Sequence, residues 1–77
     1  MGISEKIKIL LIKRNMSQTE LAEKCLKMTK NYFNNKLRQG RFSQEELKKI
    51  AEYLKATYNE DPPPRQWFTL NDTGEEI

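Results

Sequence analysis

Seventy-seven residues, 36% of them apolar and 32% charged, suffice for one small domain whose helices each bury a single stripe. One cysteine (Cys25) and no histidine exclude an intrachain disulfide and leave a zinc site short of ligands. The net charge of +3 is uneven: residues 1–58 hold thirteen basic against six acidic residues, +7, whereas residues 59–77 hold one against five, −4.

The longest apolar run is the four residues Ile9 to Ile12, so neither a membrane span nor a signal-peptide core is expected. The reducing cytoplasm is the default location. Between Lys24 and Gln44 stand six basic residues and no acid. Such a run is ordinarily a solvated lysine-rich face; here it coincides with a helix that should face outward, which favours a polyanionic partner.

In chain order, Ser4 is placed as the cap of a first helix with Ile7, Leu10 and Leu11 inward, stapled by Ile3. Lys13 and Arg14 fall in its last turn, and Asn15 takes the left-handed position after it. Met16-Ser17-Gln18-Thr19-Glu20-Leu21 reads as a capping box with a staple from Met16 to Leu21. The second helix should run from Ser17 to about Leu26, burying Leu21, Ala22 and Cys25. Thr29 caps a third helix to about Gln39, with Met28 and Phe33 as staple, Phe33 and Leu37 inward and Gly40 as terminator. Phe42 to Leu47 repeats the start signature and opens a fourth helix burying Leu47, Ile50, Ala51 and Leu54. Asn59 to Pro64 reads as an extended proline-rich linker. Gln66 to Leu70 has strand composition, Asn71 to Gly74 signals a turn, and Glu75 to Ile77 is a candidate short returning strand. The division is therefore 1–58 as the helical domain and 59–77 as linker and tail.

Two short helices in tandem close a right-angled corner that presents the second of them outward. That helix carries Lys30, Asn31, Asn34, Asn35 and Arg38, residue types that read base edges and hold phosphates. With Phe33 and Leu37 inward, steps of about 100° put Asn31, Asn35 and Arg38 opposite the core. Asparagine forms helices poorly, so three in five residues need a compensating reason; the bland alternative is surface filler or capping. Lys36, Arg38 and Arg41 are candidate phosphate contacts, with Thr29 and Asn34 beside them, or else plain surface charge. Tyr32 either lies on a sugar–phosphate edge or packs on the second helix.

These residues resemble the Cro/CI-type (lambda repressor-like) helix-turn-helix family over Ile3 to Leu54. Ser17-Gln18-x-Glu20-Leu21-Ala22 is similar to its second-helix opening, Phe33 and Leu37 to its buried third-helix positions, and Ile50-Ala51 with Leu54 to its fourth-helix end. The resemblance implies a mainly α domain of four to five helices, here with a short C-terminal strand or hairpin. It implies Gln18 against the DNA backbone and base reading by Lys30, Asn31 and Asn35. The sequence departs from the pattern in having Asn15 and Leu26 where glycines are usual, and a Leu21-to-Phe33 spacing one residue longer. A proline linker and strand also follow where many members continue into a fifth helix.

No nucleophile–base pair can be assembled, so catalysis is not expected, nor any cofactor or small-molecule ligand. The function implied is a sequence-specific DNA-binding regulator of transcription, of phage or mobile-element repressor type. The alternative is a helix-turn-helix module that binds protein, such as an antitoxin or adaptor, although such a face has no need to exclude carboxylates. One recognition helix spans too few base pairs to mark a genomic site, so a homodimer is expected. In the tail, Trp67 and Thr69 alternate with Phe68 and Leu70, giving two apolar faces that suit strand addition to a second chain. Trp67 could equally tuck against its own helices.

Overall fold

The computed structural model describes residues 2–61 and 65–77. Among them, four helices precede a two-stranded antiparallel hairpin. Helix α1 spans Ile3–Lys13, α2 Gln18–Glu20 with its π-helical continuation Leu21–Cys25, α3 Lys30–Gln39 and α4 Gln44–Tyr53, with strands β1 Ala56–Asp61 and β2 Arg65–Leu70.

Each helix stops for a local reason. At the end of α1, Asn15 is left-handed (φ 53°), the Met16 amide reaches Leu11 O at 2.9 Å, and the Asn15 amide reaches Ile12 O at 3.1 Å. This is a Schellman closure that satisfies the last carbonyls. Gly40 (φ 67°) ends α3, its amide bonding Lys36 O at 2.8 Å. Lys55 (φ 57°) ends α4 and turns the chain into β1.

The starts differ from expectation in two places. Ser4 does not cap α1, which begins two residues earlier than expected, at Ile3 with Gly2 as its cap; the Ser4 hydroxyl instead donates to Leu37 O at 2.6 Å, tying α1 to α3. Ser17 accepts the Glu20 amide at 3.1 Å, but the return bond from Glu20 is not made among the described residues. The reciprocal box closes at Ser43, whose hydroxyl accepts the Glu46 amide while its own amide bonds the Glu46 carboxylate.

Helix α2 explains the longer spacing. It is α-helical over Gln18–Glu20 and widens to a π-turn over Leu21–Cys25, where the Leu26 amide bonds Leu21 O at 3.2 Å. A π-turn is how a helix absorbs one inserted residue without rotating the chain beyond it. The left-handed position consequently moves to Lys27 (φ 55°), and Leu26 stays right-handed (φ −96°). Cys25, expected in the core, is only half-buried, with its thiol on Lys49 O.

The core is one cluster: Ile7, Leu10 and Leu11 from α1, Leu21 and Ala22 from α2, Phe33 and Leu37 from α3, and Leu47, Ile50 and Ala51 from α4. Leu54, Ala56, Phe68 and Leu70 complete it. The tail is therefore integral to the domain. Asn59–Asp61, expected in a linker, are the outer half of β1, paired in register Asn59 to Trp67, Glu60 to Gln66 and Asp61 to Arg65. The three prolines of the expected linker lie outside the described residues. Phe68 and Leu70, expected at a contact with a second chain, are buried in this chain's own core. Glu75–Ile77 return as expected, but only as a single bridge, Thr69 to Glu76, with the Ile77 amide on Phe68 O.

Arg14 locks the hairpin turn to the helices. Its Nε donates to Leu54 O (2.7 Å), one Nη to Lys55 O (2.9 Å), and both Nη atoms to the Asp72 carboxylate. These bonds from Arg14 hold the Asp72 carboxyl down to about 2. Lys13 pairs with Glu75 at 2.9 Å on the same side.

Candidate nucleic-acid interface

The outward face of α3 is set from beneath. Thr29 caps the helix through a 3.2 Å bond from the Tyr32 amide. Phe33 is wholly buried and stacks edge-on against Phe42, with ring centroids 6.0 Å apart. Leu37 follows one turn later, its carbonyl held by Ser4. With those two residues inward, Lys30, Asn31, Asn35 and Arg38 stand exposed. Arg38 donates to the Asn35 side-chain carbonyl, so these two polar groups share one patch. None of the four faces a carboxylate partner among the described residues.

The candidate backbone contacts separate into two groups. Gln18 and Asn34, both half-buried, line an open groove of about 340 Å³ between α1, α2 and α3, together with Lys8, Leu37 and Arg38. Thr29 and Arg41 are exposed at the two ends of α3. Lys36 is differently employed. Its ammonium pairs with Glu46 and lies 5.6 Å from the ring centroids of both Tyr32 and Phe42. Burial acts to raise the Glu46 carboxyl, but the Lys36 ammonium and the Ser43 amide outweigh it and hold it below its ordinary range. Lys36 is thus a strut between α3 and α4. Tyr32 is 56% exposed, and its ring lies under the Lys36 ammonium.

Lys8 was missed by sequence reasoning. Its signal was available: it follows Ser4 by four residues and so shares the face of α1 that touches α3. What could not be read was that Ser4 bonds Leu37 instead of capping its own helix. Of the tail residues, Phe68 and Leu70 are buried and Trp67 is half-buried on the opposite face of β2. Arg65 lies over the Trp67 ring, and its indole N–H has no acceptor among the described residues.

The Cys25 thiol is pushed up by burial, which disfavours the thiolate. No helix among the described residues is long and apolar enough to cross a membrane.

A family model described as a Cro/C1-type HTH DNA-binding domain matches residues 6–60, from α1 into β1. No curated protein and no solved structure gives a significant match. With its capped α2, widened turn and outward α3 inside the matched span, the chain belongs to the Cro/C1-type helix-turn-helix DNA-binding domain family.

Proposed function

We propose that this protein is a sequence-specific regulator of transcription, a repressor of phage or mobile-element type, that inserts α3 in the major groove and works in the cytoplasm as a homodimer. The observation that carries the reading is the composition of one exposed face: Lys30, Asn31, Asn35 and Arg38, with no carboxylate among them, on a helix anchored by Phe33 and Leu37. Asparagine matches the adenine N6/N7 edge and lysine the guanine O6/N7 edge, each good contact giving roughly 1–3 kcal/mol of discrimination. Gln18, Thr29, Asn34, Arg38 and Arg41 ring that face with donors for phosphate oxygens. Lys36 is the weaker candidate, its charge being shared with Glu46.

Two copies, with recognition helices one DNA turn apart, would give a site long enough to be distinctive. Trp67 is the tail residue left to serve that contact. Selection of bound duplexes from a random pool tests the proposal. An enriched motif with two half-sites about one turn apart supports it, and a pool that stays random refutes it.

A further inference from the structure

We infer that α1 supplies a DNA contact of its own: Lys8, Gln18, Asn34 and Arg38 form a three-helix clamp for one backbone phosphodiester. The inference rests on the DNA-binding reading and adds to it a residue outside the helix-turn-helix unit.

The geometry starts at Ser4. Its 2.6 Å bond to Leu37 O fixes the first turn of α1 against the C-terminal half of α3. Lys8 lies one turn further along the same face, roughly 6 Å up the helix axis. Asn34 and Arg38 flank Leu37 by three residues and by one, and therefore reach the same junction from α3. Gln18 closes it from the first turn of α2. The resulting groove brings two cations and two amides together, and no carboxylate lines it. Lys8 is exposed and, among the described residues, forms no ion pair or side-chain hydrogen bond. An exposed ammonium beside a guanidinium repels it weakly in water, and a shared anion relieves that repulsion. The amides supply hydrogen bonds without charge, which suits a singly charged phosphodiester.

Lys8 also restores the electrostatic count. Arg38 and Arg41, on α3 and its following loop, form no ion pair among the described residues, and Lys8 replaces Lys36 as the third charged contact per chain.

The test is a salt series with a mixed-sequence duplex, comparing wild type, Lys8→Gln, Lys8→Arg and Lys48→Gln, the last altering an exposed lysine on α4. Each neutralised phosphate contributes about 0.9 to the slope of log affinity against log salt. Lys8→Gln should make the slope shallower by about 0.9 per bound chain and weaken binding roughly eightfold near 0.1 M salt. Lys8→Arg should keep the wild-type slope, Lys48→Gln should leave it unchanged, and the Lys8→Gln melting temperature should match wild type. If wild type binds with a steep slope and Lys8→Gln has the same slope, the clamp is refuted while the DNA reading stands. Equal losses in Lys8→Gln and Lys48→Gln refute it too. A wild-type chain without salt-dependent binding overturns both.

Discussion

Replacing Lys27 by glycine should stabilise the domain, and replacing its neighbour Leu26 should do the reverse. Lys27 sits at φ 55°, immediately after the π-turn, with an exposed side chain. A left-handed conformation costs an L-residue roughly 1–2 kcal/mol. Glycine removes that strain but adds back roughly 0.5–1 kcal/mol through the greater freedom of its unfolded chain. The balance is a gain of about 0.5–1 kcal/mol, which in a domain of this size raises the melting temperature by about 2–8 °C. Leu26 is right-handed and packs against the core edge, so Leu26→Gly gains no relief and loses apolar burial of about 1–2 kcal/mol. Thermal melts followed by far-ultraviolet circular dichroism measure both variants against wild type. A rise for Leu26→Gly and a fall for Lys27→Gly would place the left-handed residue one position earlier and contradict the π-turn.

Other outcomes rest on the same contacts. Ser43→Ala should cost about 1 kcal/mol by removing an N-cap, and more than Ser17→Ala, because only the Ser43 box is closed in both directions; equal or inverted losses in chemical denaturation would contradict this. Asp72 binds its proton near pH 2 when folded and near 3.8 when not, so the unfolded state takes up the proton first as pH falls. The Arg14–Asp72 contribution is therefore complete above about pH 4 and disappears towards pH 2, and Asp72→Asn should flatten the stability profile in that window alone. Phe68→Ala removes a wholly buried ring and should cost roughly 3–5 kcal/mol, so a chain ending at Asp61 should lose its cooperative melt; a folded truncated monomer would show that the hairpin is dispensable.

The helices were legible because their signals are local. Thr29, Ser43, Asn15 and Gly40 act on amides and carbonyls within a few residues, and Phe33 and Leu37 repeat at helical spacing. The π-turn was visible only as an extra residue between Leu21 and Phe33. Sequence cannot say whether such an insertion lengthens a loop or widens a helix, since both keep Leu21 and Phe33 inward. The tail was misdivided for a different reason. Three prolines mask the strand character of Ala56–Asp61, whose partner lies beyond them, and pairing across a gap has no local signature. Ser4 and Arg14 have the same difficulty: local sequence suggests a cap for one and a dipole partner for the other, whereas both bond carbonyls at least thirty-three positions away. In the candidate interface, the exposed residues of α3 stand as the helical period places them. Lys36 does not act as a free cation because Glu46, ten residues on, is folded against it.

The claim that α3 reads base edges is tested most directly by selecting duplexes from one random pool with wild type, Asn31→Ala, Asn35→Ala and Arg38→Ala in parallel. Each asparagine variant should recover the wild-type motif with preference relaxed at one or two base pairs, while Arg38→Ala should recover it unchanged at weaker overall affinity. Motifs from both asparagine variants identical to wild type would contradict base reading by this face.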